Sequence, residues 1–563
     1  HANLVGSETL NLSGTGTIAS KNVGSNKTVS VGTLALADGS NGGLAANYTL
    51  SGGTHQLTVN QRPLNATLAR QYDGTTTAAG STLSSFDALQ GGETLTMTGS
   101  GTAASANVAN GIAMSSNGTL ALADGTGLAS NYSLNSTVIN IAQRVLNSSG
   151  SKTYDANTDA LAGAITLSNL VSGEALNHSG TATISSANAG SYTITNLSGI
   201  SIADGSGGTA SNYTLTGGTH NFTVNRRAVS VSGTRLYDAT TNAVASDLST
   251  HANLVGSETL NLSGTGTIAS KNVGSNKTVS VGTLALADGS NGGLAANYTL
   301  SGGTHQLTVN QRPLNATLAR QYDGTTTAAG STLSSFDALQ GGETLTMTGS
   351  GTAASANVAN GIAMSSNGTL ALADGTGLAS NYSLNSTVIN IAQRVLNSSG
   401  SKTYDANTDA LAGAITLSNL VSGEALNHSG TATISSANAG SYTITNLSGI
   451  SIADGSGGTA SNYTLTGGTH NFTVNRRAVS VSGTRLYDAT TNAVASDLST
   501  HANLVGSETL NLSGTGTIAS KNVGSNKTVS VGTLALADGS NGGLAANYTL
   551  SGGTHQLLSL IHI

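Results

Sequence analysis

The side chains best equipped for binding or reaction are a recurring tyrosine–aspartate pair, aspartates in glycine-rich stretches, and isolated glutamates and histidines. Tyr72-Asp73-Gly74, Tyr154-Asp155-Ala156 and Tyr237-Asp238-Ala239 each set an aromatic face beside a carboxylate, the equipment of a surface-ligand contact. The same residues suit a strand ending in a buried tyrosine, followed by an aspartate that ties down amides at a tight turn. That structural use weighs more, since it explains why every copy carries them. Asp38, Asp124 and Asp204, each followed by glycine, are candidate oxygen ligands for calcium. Neither a twelve-residue calcium loop nor a glycine-rich nonapeptide repeat surrounds them, so a turn is favoured there too.

Glu93, Glu174 and Glu258 are the only glutamates in their respective repeats, so a paired-carboxylate hydrolase site would need an aspartate from a distant turn. His55, His178 and His220 have no cysteine and no second histidine at ligand spacing. No Gly-x-Ser-x-Gly elbow or phosphate loop is present; Gly14-Thr15-Gly16 lies in a threonine-rich strand. The expectation is that the chain is not an enzyme and needs no cofactor, with calcium as a minor alternative.

Charged residues make up 8% of the 563, against about 25% in an ordinary domain. With 20 Lys and Arg and a net charge of -6 there is no footprint for nucleic acid. Hydrophobic residues are 37% and tryptophan is absent, which suits many small cores rather than one large one. Cysteine is absent as well, so β-packing must hold the modules without disulfides. No apolar stretch approaches the ~20 residues of a membrane-spanning helix, and no signal peptide opens at His1; both ends read as truncated.

Residues 1 to 250 recur unchanged as 251 to 500, and 501 to 557 begin a third copy, the mark of recent duplication or of an assembly error. Each block holds three diverged modules, with successive tyrosines 82, 83 and 85 residues apart. Other landmarks keep step: Glu93, Glu174 and Glu258; Asn107, Asn188 and Asn272; Asn131-Tyr132, Asn212-Tyr213 and Asn297-Tyr298; and an arginine at 62, 144 and 227.

Alternation places Leu64, Ala66, Leu68, Arg70 and Tyr72 on one face of a strand from Arg62. Glu93 to Met97, Lys27 to Leu36, Tyr48 to Leu50 and Gln56 to Asn60 are further strand candidates. One helical turn is expected within Thr82 to Gln90. The fold class is therefore all-β: a tandem array of ~82-residue sandwiches of immunoglobulin-like type, joined directly into an elongated rod. β-Grasp modules are the first alternative and a β-solenoid the second. The boundaries read as a partial module at 1–62, modules at 63–145, 146–227, 228–312, 313–395 and 396–477, and an incomplete one at 478–557. After Leu557 the repeat breaks off into Leu-Ser-Leu-Ile-His-Ile, a string resembling a translated sequencing-library adapter.

The ordered landmarks Lys152-Thr153-Tyr154-Asp155-Ala156, Tyr72-Asp73-Gly74-Thr75-Thr76, Ala129-Ser130-Asn131-Tyr132 and Val224-Asn225-Arg226 resemble the YDG-type repeats of large bacterial exoproteins similar to filamentous haemagglutinin. The resemblance implies the stalk of a secreted adhesin on the surface of a Gram-negative bacterium. It also implies export by two-partner secretion through an outer-membrane transporter, and an unidentified surface ligand at a distal domain. Multivalent ligand binding by the modules themselves is the alternative. The family supplies no catalytic residues. Alanine at 156 and 239, where the family name has glycine, argues against a left-handed backbone requirement at that position.

Overall fold

The computed structural model describes residues 3–561. All regular structure among them is β-strand or single 3-10 turns, in two compact units. One comprises residues up to Gly233 with Val244–Gly266 and Ser280–Gln306; the other comprises Thr234–Ala243, Thr267–Val279 and the chain from Leu307.

Module 63–145, within the first unit, shows how the sequence makes the fold. Its strands are β1 (Arg62–Gln71), β2 (Thr77–Ala79), β3 (Leu83–Phe86), β4 (Leu95–Thr98), β5 (Ser100–Ala103), β6 (Ala109–Ser116), β7 (Ala121–Asp124) and β8 (Tyr132–Ala142). Six form a sheet in the order β2-β5-β6-β8-β1-β3, and β4 pairs with β7 alongside. The alternation expected of β1 is present: Leu64, Ala66 and Leu68 are buried and the residues between them face outward. Ala66 and Leu68 pack with Tyr72, Ala78, Met97, Ala103, Ile139 and Ile141, and Leu64 packs with Leu95 and Tyr132, each fully buried large aliphatic side chain contributing roughly 1.5–3 kcal/mol. In modules 146–227 and 396–477 one long strand, Leu176–Ile184 or Leu426–Ile434, pairs with both sets and joins them into a half-barrel.

The first and last strands, β1 and β8, are neighbours and parallel, in register from Tyr132 with Arg62 to Ala142 with Gln71. Parallel partners need a long crossover, and here the rest of the module is that crossover. Both strands therefore finish at the same end, where the Tyr72 amide donates to the Ala142 carbonyl at 2.9 Å. That is where the chain passes to the next module, through Arg144. The start of β8, with Asn131 and Tyr132, lies at the opposite end. Each module thus has an outgoing end marked by the Tyr-Asp pair and an incoming end marked by Asn-Tyr.

Two expectations are corrected. The stretch Thr82 to Gln90 has no α-helical turn: Gly80–Thr82 is a 3-10 turn and Leu83–Phe86 is a strand paired with Ala66–Leu68. The ladder hydrogen bonds and the packing of half-buried Leu83 and Phe86 against the core override a short helical pattern. Second, the residue after the Tyr-Asp pair is left-handed in every copy, at φ 77° for Gly74, 63° for Ala156, 64° for Ala239 and 60° for Ala406 and Ala489. The requirement holds even where alanine must meet it. Asp73 enforces it by accepting from the Thr75 amide and hydroxyl, both at 2.9 Å, and Arg70 pairs with Asp73 from the strand. Lys152 does the same for Asp155 at 2.8 Å.

A left-handed non-glycine residue carries a penalty of about 1–2 kcal/mol, partly offset by the greater unfolded-state freedom that glycine brings. Ala156→Gly with Ala406→Gly is therefore expected to raise stability by up to about 1 kcal/mol. Gly74→Ala with Gly324→Ala is expected to lower it by about 1–3 kcal/mol, since the new Cβ would lie 2.8 Å from Val171 or Val421 of the following module. Urea unfolding midpoints check both; shifts of the same sign would refute the strain argument.

Candidate functional site: the joint between modules

The landmarks converge where one module meets the next. Tyr72, at the outgoing end of module 63–145, donates its hydroxyl to Glu174 Oε1 at 2.7 Å, and Tyr213 of module 146–227 donates to Oε2 at 2.7 Å. The two rings meet edge to face, 5.4 Å apart at 78°. The same triad recurs as Tyr154–Glu258–Tyr298, Tyr237–Glu343–Tyr382, Tyr322–Glu424–Tyr463 and Tyr404–Glu508–Tyr548, with every hydroxyl 2.5–2.9 Å from its carboxylate oxygen. Each pair of rings is T-shaped.

The local sequence places these groups. Glu174 follows a Gly-turn in which its amide donates to the Val171 carbonyl at 3.0 Å, and the Val171 amide donates to the Tyr213 hydroxyl at 3.0 Å. That hydroxyl is thereby saturated, accepting one hydrogen bond and donating another. At Glu93, Tyr132 occupies Oε2 at 2.8 Å and Lys21 occupies Oε1 at 2.5 Å. At Glu343 a lysine, Lys271 at 2.5 Å, joins the two tyrosines.

An amide pair and an arginine complete the joint. Asn212 donates to Asn107 Oδ1 at 2.9 Å and accepts from the Val108 amide at 2.9 Å, reaching back into the preceding module. Equivalent pairs link Asn22 with Asn131, Asn188 with Asn297, Asn272 with Asn381, Asn357 with Asn462 and Asn438 with Asn547. Arg144 lies on the connection itself. Its guanidinium donates to the carbonyl of Tyr72 on one side and to the carbonyl and side chain of Asn169 on the other. The hydrophobic core is continuous through this region, with Leu146 and Tyr213 belonging to the cluster of module 63–145.

Burial, and the donation of the hydroxyl to a carboxylate, push Tyr154, Tyr213, Tyr298, Tyr404 and Tyr463 up to about 12. Burial also raises Tyr382 to about 12. Burial opposes ionisation of Glu343, yet Lys271 and the two tyrosine hydroxyls hold it below its ordinary value. Chemically the joint is a half-buried carboxylate, buried at Glu343, held by protonated phenols, a geometry for fastening.

The profile of the YDG domain matches residues 1–56, 54–139, 142–221, 221–308, 305–389, 392–471 and 471–555. The chain belongs to the YDG domain family. It is a tandem repeat region of YDG modules. No curated protein matches it. Among solved structures, the N-terminal eight Ig domains of Down Syndrome Cell Adhesion Molecule (DSCAM) isoform 1.30.30 align at 8% identity over 76% of this chain, with a TM-score of 0.10. The chain spans 62% of that structure, and the likeness carries no argument.

Tyr72, Tyr154, Tyr237 and Tyr132 meet a carboxylate at the joints of the YDG modules, and Asn131 takes part in the amide pair there. Asp73, Asp155 and Asp238 lie beside the joints and hold the left-handed turn. The calcium candidates serve backbone amides: Asp38, Asp124 and Asp204 accept from Ala45, Ala129 and Ala210, each at 2.7 Å, and so set the 3-10 turn before the Asn-Tyr landmark. His220 lies between Ser148 Oγ and the Leu215 carbonyl, and His178 reaches the carbonyls of Ala162 and Ile165. No group of three or more potential metal ligands occurs among the described residues, nor does a helix long and apolar enough to cross a membrane. The sequence marks Glu93, Glu174 and Glu258 as landmarks in constant step with the tyrosines and, for catalysis, as lone carboxylates; that they meet tyrosines at a joint is what the spacing does not show.

Replacing Glu174 and Glu424 by glutamine leaves one acceptor oxygen where two tyrosine hydroxyls donate, so one hydroxyl loses its acceptor and faces an NH2 donor. It is expected to cost about 1–3 kcal/mol per joint. Tyr72→Phe with Tyr322→Phe should then cost less in that background than in the natural chain, and additive losses in urea unfolding would show that the groups do not act together.

Because the tyrosine pKa values are raised, the fold favours the protonated phenol. This stabilisation is complete below the ordinary tyrosine value near pH 10 and is lost as pH rises from 10 through 12. Tyrosinate absorbance and near-ultraviolet dichroism should change together in that window; ionisation near pH 10 without loss of tertiary signal would count against a role for the hydroxyls.

Proposed function

We propose that this repeat region is the stalk of a secreted bacterial surface adhesin, holding a distal binding domain away from the cell. The observation that carries the reading is the joint: successive YDG modules share a carboxylate, an asparagine pair and an arginine, with no flexible linker between them. A spacer needs connections that resist bending, and these connections use the most distinctive residues of the repeat. The alternative, multivalent ligand binding by the modules, would draw on the same tyrosines, whose rings are buried.

On this reading the chain catalyses no reaction, needs no cofactor, and is exported to the surface of a Gram-negative cell through an outer-membrane transporter. The extended dimension of a module this size is about 30 Å. Deleting residues 251–500 from the parent adhesin is thus expected to shorten its projection by on the order of 100 Å while leaving adhesion intact. Small-angle scattering of the purified repeat region should show the shortening and no response to a calcium chelator. Loss of all adhesion in the deletion strain, or collapse on chelation, would overturn the stalk reading.

A further inference from the structure

The turn after the Tyr-Asp pair is braced by two different chemistries. Where the strand before it ends in arginine, the guanidinium reaches a threonine beyond the turn: Arg70 donates to the Thr75 carbonyl, and Arg235 to the hydroxyl and carbonyl of Thr240. In modules 146–227 and 396–477 both partners change together. Lys152 and Lys402 stand in place of the arginines, and Asn157 and Asn407 in place of the threonines. A guanidinium stays cationic and is no nucleophile, whereas a lysine amine can attack a carbonyl carbon. The exchange therefore puts an amine beside a side-chain amide.

The surrounding groups are those such an attack requires. Lys152 Nζ lies 2.6 Å from Asn157 Oδ1, and Lys402 Nζ lies 2.6 Å from Asn407 Oδ1. With a C=O bond of about 1.2 Å, this contact holds Nζ about 3–4 Å from Cγ, overlapping the range of a near-attack conformer. Asp155 Oδ1 is 2.8 Å from the Lys152 Nζ, and Asp405 Oδ1 is 2.8 Å from that of Lys402. The Asp159 amide donates to Asn157 Oδ1 at 2.9 Å, and the Asp409 amide to Asn407 Oδ1 at 2.9 Å. Each points at the oxygen on which charge develops when Cγ is attacked. Both lysine side chains are 12% exposed and both aspartates 38%, so the amine is sheltered while the leaving group has a way out.

We propose that Lys152 with Asn157, and Lys402 with Asn407, close intramolecular amide cross-links. Asp155 takes one proton from the Lys152 ammonium, and Nζ attacks Asn157 Cγ to form the new C–N bond. The Asp159 amide holds the resulting oxyanion. As the tetrahedral centre collapses, the Cγ–Nδ2 bond breaks, and the departing nitrogen takes the proton held by Asp155 and one from Nζ, leaving as ammonium. No oxidant or reductant enters. The link ties the end of strand Asn147–Thr153 to the start of strand Asp159–Leu161 across the left-handed Ala156. The inference does not rest on the stalk reading.

Intact-mass spectrometry of the purified whole chain, after incubation in mildly alkaline buffer, is expected to find it lighter than its sequence by two molecules of ammonia. Trypsin should fail to cut after Lys152 and Lys402, and the joined peptides should give no fragment ions between positions 152 and 157. A succinimide at the asparagines loses the same mass but leaves both lysines cleavable, and finding it instead would overturn the proposal. Lys152→Arg with Lys402→Arg installs the guanidinium that the neighbouring modules carry at this place, keeps the fold by circular dichroism, and should restore the full sequence mass. Asp155→Ser with Asp405→Ser should slow the mass loss about 100-fold. Full sequence mass in the natural chain, a mass loss that persists in the arginine variant, or an unchanged rate in the serine variant would each refute the cross-link.

Discussion

A carboxylate drawn partly out of water must be met by donors, and in this chain two tyrosine hydroxyls from successive modules meet it. Almost everything else that distinguishes the repeat serves that encounter. The Tyr-Asp turn fixes the ring that arrives from one side, the Asn-Tyr turn fixes the ring on the other, and a glycine-containing turn presents the glutamate between them. The encounter depends in turn on the parallel pairing of β1 with β8, for only when both strands finish at one end does the Tyr-Asp landmark reach the start of the next module.

Coupling of this kind makes each module's stability partly its neighbour's. In solenoids and other repeat arrays, stability approximates a sum of intrinsic module terms and nearest-neighbour interface terms. The interface term is expected to be large here, since each joint combines charge-assisted hydrogen bonds, an edge-to-face ring contact and continuous apolar packing. The small cores, built without tryptophan or disulfides, are correspondingly less dependent on their own area.

The all-β class and the ~82-residue module were legible because apolar alternation and landmark spacing are local or periodic properties. β1 was legible residue by residue, from Leu64 to Tyr72. The joint was not, because it is made by residues about a hundred positions apart, such as Tyr72 and Glu174, whose meeting depends on which strands are parallel. Alternation is silent on that. The left-handed turn was misjudged for a related reason: Ala156 has little preference of its own for φ > 0, and it is held there by Asp155, which accepts from the Asn157 amide and is braced by Lys152. The strand at Leu83–Phe86 was lost to a helical pattern because its partner β1 lies outside any local window. Beyond Leu557 the sequence leaves the repeat, yet Leu558–Leu560 still continue a strand. Ser559 there occupies the place of buried Val309, and its hydroxyl is left without a partner, whereas His562 and Ile563, like His1 and Ala2 at the start of the partial module, lie outside the described residues.

The triad Tyr237–Glu343–Tyr382 joins module 228–312, which straddles the boundary between two 250-residue blocks, to module 313–395, and it has the same tyrosine–glutamate–tyrosine arrangement as Tyr72–Glu174–Tyr213 inside a block. A crossover between misaligned identical blocks therefore creates no junction that the fold has not already solved, provided that it preserves module phase. Block number becomes a neutral variable at the level of folding, free to differ between sister cells, so that recombination alone could supply a population with alleles of graded length.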